Sequence, residues 1–122
     1  MSGASNILVD TNLIILAIGG NKDVRDLLDG RTLFISVITE IELISIPFQN
    51  TTDARLIRDF ISNCFLIELD VEVRKHTISI RKHNKIKLPD AIIAASSVSK
   101  RLTLFTADRG FDKITGLNAV II

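Results

Sequence analysis

Tryptophan and tyrosine are missing from this 122-residue chain, proline occurs twice and cysteine once. The lone thiol, Cys64, excludes an intrachain disulfide and points to a reducing compartment. It stands in the apolar run Cys64-Phe65-Leu66-Ile67, where a buried structural thiol is expected and a nucleophile is not. Long hydrophobic runs are also lacking. The stretch near the start, Leu13 to Ile18, falls far short of the ~20 residues that a spanning helix needs. Asp10 and Asn12 precede it where a signal peptide would carry basic residues, so a cytoplasmic protein without a membrane association is expected. Neither sign of charge dominates: 15 basic side chains face 14 acidic ones, for a net +1.

Present instead is a composition that is 47% apolar, rich in Ile, Leu and Val, which suits one α/β domain over 1–122 with an interior large enough to need no staples. Asn6 to Asp10 reads as a short buried strand. Helices are predicted over 12–18 and 23–28, punctuated by Gly19-Gly20-Asn21 and Gly30. A strand over 33–36 leads into a helix over 37–46, stopped by Pro47. Thr51 or Thr52 is positioned to cap a helix reaching Ser62, and Cys64 to Leu69 reads as a third strand. Helices over 71–84, with Asp70 as cap, and 89–99, with Pro89 in its first turn, precede strands over 102–106 and 119–122. Strands alternating with helices imply a mostly parallel five-stranded sheet between helical layers, a three-layer α/β/α architecture.

Four acids sit where apolar runs end or helices begin: Asp10, Glu42, Asp90 and Asp108. In a parallel sheet the strand C-termini share one edge, where such folds bind ligands. Carboxylates gathered there repel one another unless a cation lies between them, so the pattern reads as a divalent-metal site. Three of them have a plainer role beside it. Asp10 is also a helix N-cap, Asp90 also favours the helix dipole, and Asp108 also suits a turn. Asp90 shares a helical face with Ala94 and Ser97 in a segment of small residues that lets a backbone approach a sheet. Glu42 competes with Glu40, which points ~200° away on the same helix, and Asp112 competes with Asp108; spacing alone leaves both choices open. With the four acids set aside, ten acids remain against 15 bases, and the rest of the molecule carries +5. An acidic pocket in a basic surround suits a polyanion held through metal ions.

Arg74-Lys75-His76 recurs seven residues later as Arg81-Lys82-His83, stacking one basic stripe on a helix that Lys85 and Lys87 extend toward Asp90. A solvated surface helix is the plain reading; the functional one makes Lys82, Lys85 and Lys87 part of a backbone-phosphate track leading to the acids.

The segments Leu8-Val9-Asp10-Thr11-Asn12, Ser36-x-x-Thr39-x-x-Glu42-Leu43, Leu88-Pro89-Asp90-Ala91-Ile92-Ile93-Ala94 and Leu104-Phe105-Thr106-x-Asp108-x-x-Phe111 together resemble the PIN-domain family, in its small prokaryotic VapC-like form. The resemblance selects Glu42 over Glu40 and Asp108 over Asp112. It implies that Thr11, Asn12, Ser36 and Thr106 support the acids or water. It further implies a five-stranded parallel sheet, a Mg²⁺- or Mn²⁺-dependent ribonuclease, a homodimer, and an antitoxin protein whose C-terminal segment covers the acidic pocket. On that view Asp10 and Asp90 contact the metal, while Glu42 and Asp108 act through water or a second ion ~3.5–4 Å away. The alternatives are a catalytically inactive scaffold of the same fold and a metal-independent RNase using His76 and His83, whose Cα atoms lie ~10.5 Å apart along one helix. A phosphatase using Asp10 as nucleophile would want an acid where Asn12 stands, and a receiver domain an acidic pair that Thr11 interrupts.

Overall fold

The structure, a computed structural model, describes residues 5–47 and 50–122; Phe48, Gln49 and the first four residues lie outside the described part of the expected domain. Ile7, Leu8 and Val9 are wholly buried, the mark of a strand covered on both faces. They belong to β1 (Asn6–Val9), the middle of a sheet completed by β2 (Thr32–Ser36), β3 (Phe65–Ile67), β4 (Thr103–Thr106) and β5 (Ala119–Ile121). The order is β3-β2-β1-β4-β5 and every pairing is parallel. Leu8 lies opposite Phe34 of β2 and Leu104 of β4, and Val9 opposite Phe105.

Because side chains alternate along a strand, β1 feeds two separate cores. Ile7 and Val9 pack with Leu13, Ile14, Ala17, Val24, Leu28, Leu43 and Ile57. These come from α1 (Thr11–Ile18), α2 (Lys22–Leu28), α3 (Val37–Ile44) and α4 (Thr51–Ser62). Leu8 and Leu104 pack on the other face with Val73, Ile80 and Ala91 to Ala95, which belong to α5 (Val71–His83) and α6 (Leu88–Lys100). Truncating Leu8 to Ala in such a site costs roughly 2–5 kcal/mol. α6 is buried from Ala91 to Ser97, and its small side chains let it lie close to the sheet. Its buried Ser96 hydroxyl donates to the Ile92 carbonyl, so no polar atom is stranded.

Side-chain caps begin most helices. Asp10 accepts from the Leu13 amide, Asn21 from Val24, Ser36 from Ile38, and Asp70 from Val73. The cap of α4 is Asn50, accepting from Asp53 at 2.8 Å, rather than Thr51 or Thr52, which form the first helical positions. β3 is shorter than the Cys64–Leu69 expected. Cys64 closes the end of α4, its amide bonded to Ile61, and Leu69 already leads into the Asp70 cap. The Cys64 thiol is half-buried and donates to the Phe60 carbonyl, and burial pushes its pKa up to about 11, which leaves it unreactive. α3 ends two residues before the expected Ile46, with Ser45 as its C-cap. No described helix is long and apolar enough to cross a membrane.

Candidate metal centre

The strand order fixes where the site lies. From β1 the chain moves to β2 on one side and later returns to β4 on the other, so the C-terminal ends of β1 and β4 diverge at a topological switch point. Asp10 follows β1 directly. Thr106 ends β4, and Asp108 stands two residues beyond it as the cap of a 3-10 helix, Arg109–Lys113. The loop there is thus more ordered than the turn expected for it.

Asp10 is buried, and its carboxylate is held from two sides. Oδ1 accepts from the Leu13 amide at 2.9 Å, and Oδ2 accepts a short bond from the Thr106 hydroxyl. That hydroxyl in turn accepts from the Asp108 amide at 3.0 Å, so Thr106 couples two of the acids. Asp108 places Oδ1 by accepting from the Gly110 amide at 2.8 Å. A β-carbon at residue 110 would stand 3.0 Å from that oxygen, which is why the absence of a side chain matters there.

Glu42 arrives from α3, exposed, with Oε1 accepting from the Thr11 hydroxyl at 2.7 Å. The Thr11 and Thr39 hydroxyls lie 3.0 Å apart, and Thr39 is fully buried. Since the carboxylate accepts only, the Thr11 proton belongs to Glu42 and Thr39 backs it from behind. Asp90 lies in the first turn of α6, whose N-cap position, Lys87, provides no side-chain bond. The helix's positive end therefore faces this carboxylate.

All four acids, with Thr11 and Asn12, line one pocket of about 80 Å³, walled by Ile93 and Phe111. At ~30 Å³ per water that is room for a few small species, not for an organic ligand. Burial, opposed by the Thr106 and Leu13 bonds, raises the Asp10 pKa, with the charges of Asp108 and Asp90 adding to the rise. Burial, then Asp108 and Glu42, raises that of Asp90, while Lys87 lowers it. Acids that hinder each other's ionisation in this way are relieved by a cation. The donors are all oxygen, the set that Mg²⁺ and Mn²⁺ prefer. Among the described residues no three Asp, Glu, His or Cys side chains form a ready-made cage.

Glu40, half-buried on another side of α3, and Asp112 do not line this pocket. Ser36 is buried as the α3 cap and is not among its lining residues. His76 and His83 also stay outside it, and His83 Nδ1 lies 2.8 Å from the Ser79 carbonyl. Lys85 and Lys87 border a neighbouring groove, whereas Lys82, exposed on α5, does not. Two contributors escaped the sequence reading. Thr39 was visible only as part of a motif, and Lys113 carried no signal at all, because it approaches Lys85 only after folding.

The family described as PIN domain matches residues 7–117. The chain is similar to one in a toxin–antitoxin complex from Klebsiella pneumoniae, with TM-score 0.81 and 28% identity over 93% of this chain and 95% of that one. It is similar to a chain of DNA-bound VapBC from Salmonella typhimurium, with TM-score 0.79 and 27% identity over 95% and 97%. The fold is shared with VapBC2 from Rickettsia felis bound to a promoter DNA fragment, at TM-score 0.84 and 22% identity over 95% and 98%. No curated protein matches. With the family pattern running from β1 past the 3-10 helix and the same overall fold in these relatives, the chain belongs to the PIN-domain family and is VapC-like within it.

Proposed function

We propose that the protein is a divalent-metal-dependent endoribonuclease and the toxin of a toxin–antitoxin pair. The observation that carries this reading is the convergence of Asp10, Glu42, Asp90 and Asp108 on one small pocket, where burial first and the neighbouring acids second hinder Asp10 and Asp90 from ionising. Asp10 and Asp90 would hold Mg²⁺ or Mn²⁺, with Glu42 and Asp108 acting through water or a second ion. When bound, the metal supplies Lewis-acid stabilisation of a phosphodiester and activation of water. The chain's own part is orientation. Thr106 fixes Asp10, and the Gly110 amide fixes Asp108. Thr11 fixes Glu42, Asn12 lines the pocket, and Ser36 fixes the start of α3 that carries Glu42. Lys82, Lys85 and Lys87 are proposed to meet the RNA backbone.

A partner antitoxin is proposed from the complexes in which the similar chains occur. Ile15, Leu16, Ile41 and Ile44 are exposed, which supports a protein-covered surface. A homodimer and a cytoplasmic location are proposed on the same kinship and on the single free cysteine.

The test is cleavage of single-stranded RNA with Mn²⁺, with EDTA, and by the Asp10→Asn and Asp90→Asn variants. Cleavage is expected only for the wild type with metal. Equal cleavage in EDTA would transfer the activity to a metal-free mechanism such as one using His76 and His83. A folded wild type that binds RNA without cutting it would make the protein a scaffold.

A further inference from the structure

We infer that the groove beside the acid pocket, bordered by Lys85, Lys87 and Lys113, is a subsite for the nucleotide that adjoins the scissile phosphate. This rests on the ribonuclease reading and adds to it a place where the substrate is gripped. The groove measures about 260 Å³ and shares Asp90, Asp108 and Phe111 with the acid pocket, so the two are continuous. The acid pocket, at about 80 Å³, has no room for a base and sugar. A polynucleotide whose phosphate reaches the acids must therefore lay a neighbouring residue alongside, and the groove is the adjoining space.

Its charge suits that occupant. Lys85 and Lys87 come from the loop between α5 and α6, and Lys113 from the end of the 3-10 helix. The Lys113 ammonium donates to the Lys85 carbonyl at 2.8 Å. That bond ties the two walls together and leaves Lys113 further N–H donors for a phosphate. Among the described residues none of the three lysines is in an ion pair. The metal side and the phosphate side of the cleft are thus divided by Asp90 and Asp108. Lys82, on α5, lies outside the groove, so the loop grips the adjoining nucleotide and Lys82 is left to meet the backbone beyond it.

The experiment compares Lys87→Gln, Lys113→Gln and Lys22→Gln with the wild type. Lys22 removes the same charge from α2, where it pairs with Asp26. Binding of a single-stranded RNA decamer is followed by fluorescence anisotropy in EDTA at several KCl concentrations, and KM and kcat by Mn²⁺-supported cleavage. The two groove variants should each weaken binding three- to tenfold. Each should also reduce the slope of log K against log salt by about 0.7, the loss of one single-strand phosphate contact. KM should rise by more than kcat changes in both groove variants, and Lys22→Gln should change neither. Lys87 makes no bond across the walls, so its effect stands even where Lys113→Gln loosens the loop. Unchanged affinity and slope in Lys87→Gln, with cleavage intact, would overturn the subsite and leave the nuclease reading standing. Reduced RNA binding in a protein that never cleaves would keep the groove and remove the nuclease.

Discussion

Replacing Thr106 with Val tests the part of the site that is built into the fold itself. Thr106 is fully buried at the end of β4, and its hydroxyl donates to Asp10 while accepting from the Asp108 amide. Valine fills nearly the same space and makes neither bond. A hydrogen bond to a charged group contributes ~1.5–3 kcal/mol, and one between neutral groups ~0.5–1.5. With some relief from water entering at the exposed Asp108 side, the expected loss is about 2–3 kcal/mol, a large share of the ~5–15 kcal/mol that holds a domain folded.

The loss should depend on pH in a defined direction. Burial raises the Asp10 pKa in the folded protein, and the Thr106 bond opposes that rise. Removing the bond lifts the folded pKa further and leaves the unfolded one unchanged. The penalty is therefore full where Asp10 is ionised and shrinks as pH falls and the carboxyl protonates. Urea denaturation followed by circular dichroism in EDTA, at pH 7 and pH 4.5, measures both values. The midpoint should drop with the slope m unchanged, and drop less at the lower pH. A loss below about 0.5 kcal/mol at pH 7, or one that grows on acidification, would refute the coupling of Asp10 to Thr106.

Gly110→Ala should move the Asp108 carboxylate, because the new carbon would stand 3.0 Å from its Oδ1; Mn²⁺-dependent cleavage should fall roughly tenfold with little change in melting temperature, and unchanged cleavage would show that Asp108 has no fixed role. Asp70→Asn should lower the melting temperature at neutral pH, since the Lys100 bond and the Val73 amide hold the Asp70 pKa below its ordinary value of 3.8. A depressed carboxylate stabilises above its unfolded pKa and loses that contribution as pH falls through the lower folded value. The gap between variant and wild type should thus begin to narrow below about pH 4 and keep narrowing on further acidification, and a gap that stays constant or widens would contradict the pairing. Arg101→Gly should raise stability by roughly 0.5–1 kcal/mol, because Arg101 closes α6 at φ 55°, a left-handed conformation that favours glycine; a lower melting temperature would mean that the arginine side chain contributes more than the strain costs.

Much of this architecture is legible in short apolar runs bounded by caps and glycines. Ile7-Leu8-Val9 and Thr103-Leu104-Phe105-Thr106 are strands in the structure, and Asp10 and Asp70 begin helices as their residue types suggest. Sheet order was not legible, because which strand lies beside β1 depends on how helices pack, and no local pattern encodes that. The choice of Glu42 over Glu40 follows the same logic. Periodicity separates the two faces of α3 without saying which one looks toward Asp10, and the Thr11 bond that holds Glu42 at the pocket forms only once α1 and α3 meet. Asn50 took the cap of α4 from two threonines that local preference ranks close to it. Lys113 joins the groove through a contact 28 residues away in sequence, beyond the reach of any helical or strand period.

Everything else rests on the proposal that Asp10 and Asp90 hold a divalent ion in the pocket that Glu42 and Asp108 complete. Calorimetric titration of Mn²⁺ into the wild type and into Asp10→Asn and Asp90→Asn, at pH 7.5 and pH 5, tests it directly. Because the pKa values of Asp10 and Asp90 are raised, protons should compete with the metal. The wild type should bind Mn²⁺ at pH 7.5 and markedly more weakly at pH 5, and each variant should bind at least tenfold more weakly than the wild type at the higher pH. Equal affinity in all three proteins, or wild-type affinity that does not change between the two pH values, would contradict the account.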